Sequence, residues 1–214
     1  MNRVELPPPL EIPWIRRPLS SAETQVIELP DGRIKLWVRH AVLRGVTPAM
    51  LAWWFQHLEG DIEIAGRVVP RYRAWHPLDH IAFRYLRRRR DGSIGRGAIF
   101  HICEAFARNP EWLVDVHTHV EKLDATGFIH GPRRLGRKVA HMEYVFEPTP
   151  EGTQYTNWLI AGPALHHAGR VLRMVRRAEF PDDKAGAWLT HNVEEVGNFE
   201  SFLPDLYRRE STAR

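Results

Sequence analysis

The sequence predicts an α+β domain in which a curved antiparallel sheet wraps a long C-terminal helix, with a cavity between the sheet and the helix. Three features of the chain predict this fold class. A strand-like segment and a helix come first, a run of strand-like segments separated by turn residues occupies the middle, and a helical pattern fills residues 184–209. Strands followed by a helix are typical of α+β domains, in which the helix packs on one face of the sheet.

The first part of the chain contains one clear strand and one clear helix. The turn Asp31-Gly32 leads into an alternating segment over residues 33–43, which predicts a strand. Thr47 is a good N-cap and Pro48 suits the first helical position, where its missing N–H costs nothing. We therefore expect a helix that begins at Pro48 and ends at Gly60.

The middle of the chain predicts the sheet. Period-two alternation and turn residues predict an extended segment and then five strands, over residues 68–75, 97–106, 112–123, 127–132, 138–146 and 153–161. The last two strands bracket residues 148–152 and so predict a β-hairpin. From residue 163 onward the pattern is helical, over residues 169–180 and 184–209, and Pro204 is expected to interrupt the last helix.

Composition indicates one soluble domain with a real core. The chain has 214 residues, of which 43% are hydrophobic and 26% are charged. Cys103 is the only cysteine, so an internal disulfide is excluded and a reducing, cytoplasmic compartment is expected. The sequence shows no apolar run of ~20 residues and no signal-peptide pattern, so a membrane is not an expected partner.

The net charge of +4 does not point to nucleic acid. Much of the positive charge lies in the runs Arg87–Arg90 and Arg133-Arg134, and the first run leads directly into the turn residues Asp91-Gly92. A solvated loop explains such a run. The sequence has neither a helix-turn-helix pattern nor zinc-finger spacing, so no nucleic-acid partner is expected.

Residues 1–20 predict an extended arm in front of a single domain over residues 21–214. The arm contains Pro7-Pro8-Pro9 and Pro13, which disfavour both helix and ladder strand. Trp14 and Ile15 indicate that it packs on something. The arm could pack on its own domain or on the second subunit of a homodimer, and the sequence leaves both alternatives open.

The first candidate site is the pair His191 and Glu195 in the C-terminal helix. Residues four apart lie one turn apart on the same helix face, so an imidazole nitrogen and a carboxylate oxygen stand side by side. This is half of a first-row metal site, with zinc the first choice. Taken alone, such a pair is more often a solvated helix face.

Glu104 and the cluster around His80 could supply the missing ligands. Glu104 lies in an otherwise apolar strand, where a carboxylate must be paired, hydrogen-bonded or bound to a metal. The alternatives are an edge strand with Glu104 facing water, or a salt bridge from Glu104 to an arginine. In the segment from His76 to His80, Pro77 prevents the two histidines from sharing a helix interior, although a helix could begin at Pro77, and Asp79 could orient a histidine. An exposed loop is the alternative there.

These residues resemble a known enzyme family. The segment Pro70–His80, together with His191-Asn-Val-Glu194-Glu195, is similar to the 2,4-diacetylphloroglucinol hydrolases and phloretin hydrolase, over roughly residues 45–207. Those enzymes hydrolyse the carbon–carbon bond between an acyl group and a phenolic ring. The resemblance implies a Bet v 1-like (helix-grip) domain, a Zn²⁺ cofactor, and a small aromatic ketone as substrate.

The resemblance also implies roles for single residues. The zinc ligands fall on His80, Glu104, His191 and Glu195, with Glu111 the competitor of Glu104 if the loop is aligned without a gap. Tyr72 matches a tyrosine that hydrogen-bonds a substrate oxygen. The family's cavity histidine and second tyrosine match His141 and Tyr155, and the catalytic set is then Tyr72, His141 and Tyr155. Substrate contacts are expected from Tyr72, His76, Phe83 and Tyr155.

Two departures from the family concern substrate binding and dimerisation. Phe83 stands where the family has an asparagine, three residues after the first zinc histidine, and this removes one polar contact. The helical N-terminal extension of the hydrolases is largely absent. Two other functions compete with hydrolysis: a non-catalytic carrier of an apolar ligand, and a polyketide cyclase or aromatase that works without metal, using His141 and Tyr72 as acid and base.

Overall fold

A large antiparallel sheet and one long helix dominate the structure, a computed structural model that describes residues 5–162 and 180–211. The strands are β1 Glu23–Glu28, β2 Ile34–Arg39, β3 Leu43–Arg44, β4 Asp61–Ile64, β5 Arg67–Pro70, β6 His80–Arg87, β7 Ile99–Ala105, β8 Leu113–Asp124, β9 Gly127–Arg134, β10 Arg137–Lys138, β11 Ala140–Thr149 and β12 Gly152–Ala161. The helices are α1 Pro48–Gln56, α2 Arg71–Trp75 and α3 Asp182–Ser211. Short 3-10 helices lie at Leu19–Ser21, Phe106–Arg108 and Pro110–Trp112.

The main sheet has the strand order β1-β2-β12-β11-β9-β8-β7-β6, with β3 added beside β12 and β10 beside β9. Its neighbouring strands pair antiparallel, and β4 and β5 form a separate hairpin. Helix α3 packs against this sheet. This arrangement confirms the expected α+β helix-grip class.

Helix α3 buries apolar side chains at both ends and polar ones between them. Near its start, Trp188 and Leu189 pack with residues of β2 such as Leu36. Near its end, Phe199 and Leu203 belong to a second core with α1 and the middle strands. His191 and Glu195 lie between these two apolar regions and are only 3% and 5% exposed. The polar side chains that α3 buries lie in its middle part and are those of His191, Asn192, Glu195 and Asn198.

Several local expectations are confirmed, and others are corrected. Helix α1 begins as expected, because Thr47 Oγ1 accepts a hydrogen bond from the N–H of Met50, but it ends at Gln56, before Gly60. Helix α3 continues through Pro204, which deprives a helix of only one internal hydrogen bond. The expected helix over residues 169–180 lies, apart from Phe180, outside the described residues.

The segment around Tyr72 and His80 differs from the expectation. Residues 71–75 form helix α2 and are not extended, whereas His80 begins strand β6 and is not in the first turn of a helix. Helix α2 and the residues after it connect β5 to β6. The Tyr72 and His80 rings stack across this connection, with centroids 3.8 Å apart.

The N-terminal arm packs on its own domain. Among residues 5–18 no helix or strand is present. The N–H of Leu10 donates to the carbonyl of Pro77 (3.0 Å), and Trp14 stacks on Phe202 of α3 with centroids 4.9 Å apart. Arg17 forms an ion pair with Glu200 of the same helix (2.7 Å). The arm thus lies across α3 and the turn before β6.

A buried polar chain ties α3 to the sheet. His40 Nε2 is 2.8 Å from Asn157 Oδ1, and Asn157 Nδ2 donates to Asn192 Oδ1 (2.6 Å). Burial lowers the pKa of His40 to about 4, so this imidazole is neutral near neutral pH. Buried polar groups with satisfied hydrogen bonds favour one position of the helix on the sheet. This position places the buried polar side chains of α3 opposite the strands. No helix within the described ranges is long and apolar enough to cross a membrane.

Candidate metal centre

Two imidazoles and two carboxylates meet between the sheet and α3. His80 and Glu104 are direct cross-strand partners on β6 and β7, and His191 and Glu195 face them from the helix. His80 Nε2 lies 3.6 Å from Glu104 Oε2 and 3.4 Å from Glu195 Oε2. His191 Nε2 lies 3.8 Å and 3.6 Å from the same two oxygens. The structure thus brings together the four side chains that the sequence suggested as ligands.

The four separations between imidazole nitrogens and carboxylate oxygens suit a tetrahedral zinc ion. Ligand bonds of ~2.0–2.2 Å give a tetrahedron whose edges are roughly 3.4 Å, close to the separations described above. One ligand atom each from His80, His191 and Glu195 lies within 4.8 Å of the others. His80 Nε2 is buried and has no hydrogen-bond partner, which is costly for a polar atom unless something binds it. The residues present therefore fit the metal.

Both histidines are oriented by their second ring nitrogen. His80 Nδ1 donates to the carbonyl of Tyr72 (2.7 Å), and His191 Nδ1 donates to Asp79 Oδ2 (3.0 Å). These bonds place a ring proton on each Nδ1 and leave each Nε2 facing the centre, where it can bind a metal when it carries no proton. Carboxylate–histidine–metal arrangements of this kind are usual at zinc sites.

The carboxylate of Asp79 is itself held by hydrogen bonds from a backbone segment with positive φ angles. The N–H groups of Ala107 and Arg108 donate to its two carboxylate oxygens (3.1 Å each). Both residues have positive φ, 50° and 54°, a conformation that non-glycine residues adopt rarely. Successive N–H groups turned inward in this way form an anion-binding concavity. The strain is local to the group that orients His191, as is common at functional sites.

The electrostatics of the centre favour a bound cation. Burial raises the pKa of Glu195 to about 8 and also raises the pKa of Glu104. Burial alone would lower the pKa of His191, but the hydrogen bond to Asp79 and the nearby Glu195 and Glu104 carboxylates raise it to about 9. Burial, with His191 beside it, holds the pKa of His80 well below its usual range. Without a metal, the cluster therefore retains protons that a divalent cation would replace.

An apolar cavity of about 210 Å³ opens beside the centre. Glu104, His191 and Glu195 lie on its wall, together with Tyr72, whose hydroxyl donates to Glu104 Oε2 (2.8 Å). Most of the remaining wall is aromatic or aliphatic and includes Phe83, Phe100, Ile102, Phe128, Met142 and Trp188. Such a cavity suits a small, flat, largely apolar molecule.

A second polar group lies on the same wall. Thr118 Oγ1 is 2.7 Å from His130 Nδ1, and His130 Nε2 is 3.3 Å from the hydroxyl of Tyr144. Burial lowers the pKa of His130 to about 3, so its imidazole is neutral near neutral pH. Burial raises the pKa of Tyr144 well above its usual value, so its phenol stays protonated.

His141 and Tyr155 occupy other places than their suggested roles require. On β11, Ala140, Met142 and Tyr144 line the cavity. His141 lies between them on the opposite face, where its ring contacts Lys138 Nζ (2.6 Å) and Glu143 Oε2 (2.8 Å). Tyr155 is fully buried, packs edge-on against His40 and is not among the lining residues.

Of the other residues suggested from the sequence, one lines the cavity and two do not. Phe83 lines the cavity. His76 is fully buried but does not line it, and its ring lies behind His191. Glu111 is exposed in the 3-10 helix Pro110–Trp112, away from the centre, so the structure favours Glu104 over Glu111 as the ligand. Tyr72, Phe83 and the four ligands are therefore the suggested residues that share one site.

Sequence reasoning missed His130 and Tyr144. The signal that could have found them is alternation, since Phe128, His130 and Pro132 share one face of β9 and all three line the cavity. Met142 and Tyr144 are their cross-strand neighbours on β11. Which face looks inward follows only from the packing of the sheet on α3.

Comparison with solved structures finds proteins of similar fold. A START superfamily protein from Mycobacterium smegmatis is 14% identical, with a TM-score of 0.49, over 80% of this chain and 98% of its own. A protein from Rhodobacter sphaeroides is 16% identical, with a TM-score of 0.48, over 86% and 99%. Ara h 8.0201 is 10% identical, with a TM-score of 0.37, over 80% and 98%. These similarities concern the fold alone.

Neither a protein-family model nor a curated protein matches the sequence.

Proposed function

We propose that this protein is a zinc-dependent hydrolase that cleaves the carbon–carbon bond between an acyl group and a polyphenolic ring. The proposed substrate is an aryl ketone of the acylphloroglucinol type. One observation carries the proposal: beside an apolar cavity, the Nε2 atoms of His80 and His191 each lie 3.4–3.8 Å from a carboxylate oxygen of both Glu104 and Glu195. The fold is compatible with ligand binding and with hydrolysis, and the ligand set favours hydrolysis.

Each part of the reaction has a place in the cavity. Zinc bound by these four residues would polarise the ketone oxygen and make hydroxide available near neutral pH. The aromatic wall around Phe83, Phe100 and Phe128 would hold the substrate ring and exclude bulk water. Hydrolysis forms a carbon–oxygen bond at the acyl carbon and breaks its bond to the ring, whose carbon keeps the electron pair and must gain a proton.

Tyr72 has two tasks in this scheme. Its hydroxyl donates to Glu104, which fixes that carboxylate, and its oxygen remains free to accept a hydrogen bond from a phenolic hydroxyl. Burial and the Glu104 carboxylate raise its pKa well above the usual value, so the donor stays protonated.

Tyr144 is assigned the proton that the ring carbon must gain. Its phenol is protonated at neutral pH, lies on the cavity wall and is 3.3 Å from His130 Nε2. The neutral His130 lies between Thr118 and Tyr144 and orients the Tyr144 hydroxyl by hydrogen bonding. Tyr144 is thus proposed for the proton delivery that the family resemblance implied for His141.

The purified wild-type chain tests the proposal directly. We expect about one zinc ion per chain by elemental analysis, and release of a carboxylic acid from one or more acylphloroglucinols in a screen that varies the acyl chain. Chelation should stop acid release, and added zinc should restore it. A chain that binds the aromatic ketones but holds no zinc and releases no acid would be a carrier. Activity that survives chelation would favour a metal-independent cyclase or aromatase.

The two tyrosines of β11 and β12 provide a matched pair of variants. Tyr144→Phe should lower kcat by about 10- to 100-fold with zinc content unchanged, because it removes a hydrogen-bonding proton donor at the reacting atoms. Tyr155→Phe should retain kcat within about twofold, because its hydroxyl is outside the lining residues and has no hydrogen-bond partner. Equal losses of kcat in both variants would contradict the assignment of Tyr144.

A further inference from the structure

His76 is buried next to the metal centre without facing the cavity. Its Nδ1 accepts a hydrogen bond from the N–H of Asp79 (3.1 Å), so the ring proton lies on Nε2. That Nε2 lies 3.1 Å from Glu194 Oε2 and donates to it. Both ring nitrogens are therefore satisfied, and the ring has one orientation.

The ring of His76 lies flat against the ring of His191. Their centroids are 4.3 Å apart and the planes differ by 22°. On another side, Phe106 meets the His191 ring edge-on at 5.1 Å, and Asp79 binds its Nδ1. These contacts determine the plane in which His191 presents Nε2 to the centre.

Glu194 connects this packing to the N-terminal arm. Its carboxylate accepts the hydrogen bond from His76 Nε2 through Oε2, and its Oε1 lies 3.4 Å from Arg16 Nη1. Glu194 directly precedes the ligand Glu195 on α3. The contacts of Glu194 with His76 and Arg16 therefore also hold this turn of the helix in place. The arm, the turn before β6 and α3 therefore meet behind the metal centre.

We propose that His76 is a positioning residue for the metal ligand His191, and that Glu194, steadied by Arg16 of the arm, holds His76 in place. The inference rests on the metal-binding part of the proposed function and is independent of which substrate is cleaved. It assigns to His76 a structural task behind the ligand, in place of the substrate contact that the sequence suggested.

A second cation at this place is the competing explanation. His76, Asp79 and His191 each offer a ligand atom within 4.8 Å of the others. A cation bound there would require His191 to lose its Nδ1 proton while Nε2 serves the first metal. In the structure that proton is engaged with Asp79. Orientation of one metal ligand is therefore the simpler role.

Three variants and a control test the inference through metal affinity. His76→Phe keeps a ring against His191 but loses both hydrogen bonds, and Glu194→Gln weakens the acceptor. We expect the zinc Kd, measured by chelator competition, to rise by about 10- to 100-fold for His76→Phe and severalfold for Glu194→Gln. His76→Gln retains a side-chain N–H donor and should recover part of the affinity. Glu200→Gln is the matched control, because Glu200 on α3 also pairs with an arm arginine but makes its polar contacts with Arg17 and Arg44 and not with His76.

Metal-free thermal unfolding and the visible spectrum of the cobalt-substituted protein separate positioning from folding. We expect the cobalt bands of His76→Phe to shift while its metal-free Tm stays within a few degrees of wild type. A zinc Kd within twofold of wild type in both His76→Phe and Glu194→Gln would overturn the inference. So would two zinc ions per wild-type chain with only one in His76→Phe. If His76→Phe does not fold, the isosteric variant Glu194→Gln decides. A wild-type chain without zinc would instead overturn the proposed function.

Discussion

Replacing His191 with alanine is expected to abolish stoichiometric zinc binding and acid release together. His191 Nε2 faces Glu104 and Glu195 from the helix, and its ring is fixed by Asp79 through Nδ1. Its removal leaves three ligands and a gap on the helix side. The expected result is zinc content near zero at sub-micromolar free metal and hydrolysis at the background rate.

His141→Ala is the matched control for this variant. It removes an imidazole from the same protein, but one on the outer face of β11 that contacts Lys138 and Glu143. This variant should retain one zinc per chain and nearly full kcat. Full zinc occupancy in His191→Ala, or loss of zinc in His141→Ala, would show that the centre is placed wrongly.

Glu195→Gln and Glu104→Gln extend the same test to the carboxylates. Each substitution keeps the size of the side chain and removes the negative charge, so each should weaken zinc binding strongly. Glu111→Gln should not, because that side chain is exposed in the 3-10 helix after β7. The comparison of Glu104→Gln with Glu111→Gln also resolves the alternative that the alignment left open.

The second large effect expected is stabilisation by zinc that increases with pH. In the metal-free fold the pKa of Glu195 is raised from 4.5 to about 8, and the pKa of His191 is raised from 6.5 to about 9. The folded chain then binds more protons than the unfolded chain between about pH 4.5 and 9. Taken alone, these two groups lower the free energy of unfolding of the metal-free protein as pH rises through this window.

Zinc reverses this loss because it binds the deprotonated side chains and displaces their protons. At a free zinc concentration of ~100 times Kd, binding adds about 2.7 kcal/mol to the free energy of unfolding. The rise in Tm on adding a fixed zinc concentration should therefore be larger at pH 8 than at pH 6. An equal or smaller rise at pH 8 would contradict the protonated state of the cluster.

Two other histidines lower the free energy of unfolding of the metal-free protein at acid pH. The pKa of His40 is lowered to about 4 and that of His130 to about 3, in each case first by burial. Their contribution to stability is present above the unfolded value of 6.5 and is lost as pH falls through the folded values. The metal-free protein should thus be most stable near pH 6.5, and zinc should extend the plateau toward alkaline pH.

Much of the architecture could be predicted from local patterns. The cap at Thr47, the hairpin of β11 and β12 and the long terminal helix follow from interactions between residues close in sequence. The pair His191 and Glu195 is of the same kind, because helix geometry alone puts residues four apart on one face. Glu104 could be suspected because an apolar strand makes an unpaired carboxylate costly.

Other features depend on which strand face looks inward. Along β11 a shift of one residue would replace Tyr144, which lines the cavity, with Glu143 or Val145 from the outer side. Alternation alone shows two faces and does not say which one packs on α3. The position of Tyr155 could not be predicted for a related reason. Its ring packs in the core beside His40 and does not line the cavity.

By itself, the sequence determined the fold class, the terminal helix and the types of side chain available for a metal, because these depend on periodicity, capping and the cost of burying charge. The tertiary structure alone decided that His80 pairs with Glu104 across β6 and β7, that Asp79 and His76 hold His191, and that His130 and Tyr144 face the cavity. Those contacts join residues far apart in the chain, and their geometry depends on strand register and on the packing of α3 against the sheet.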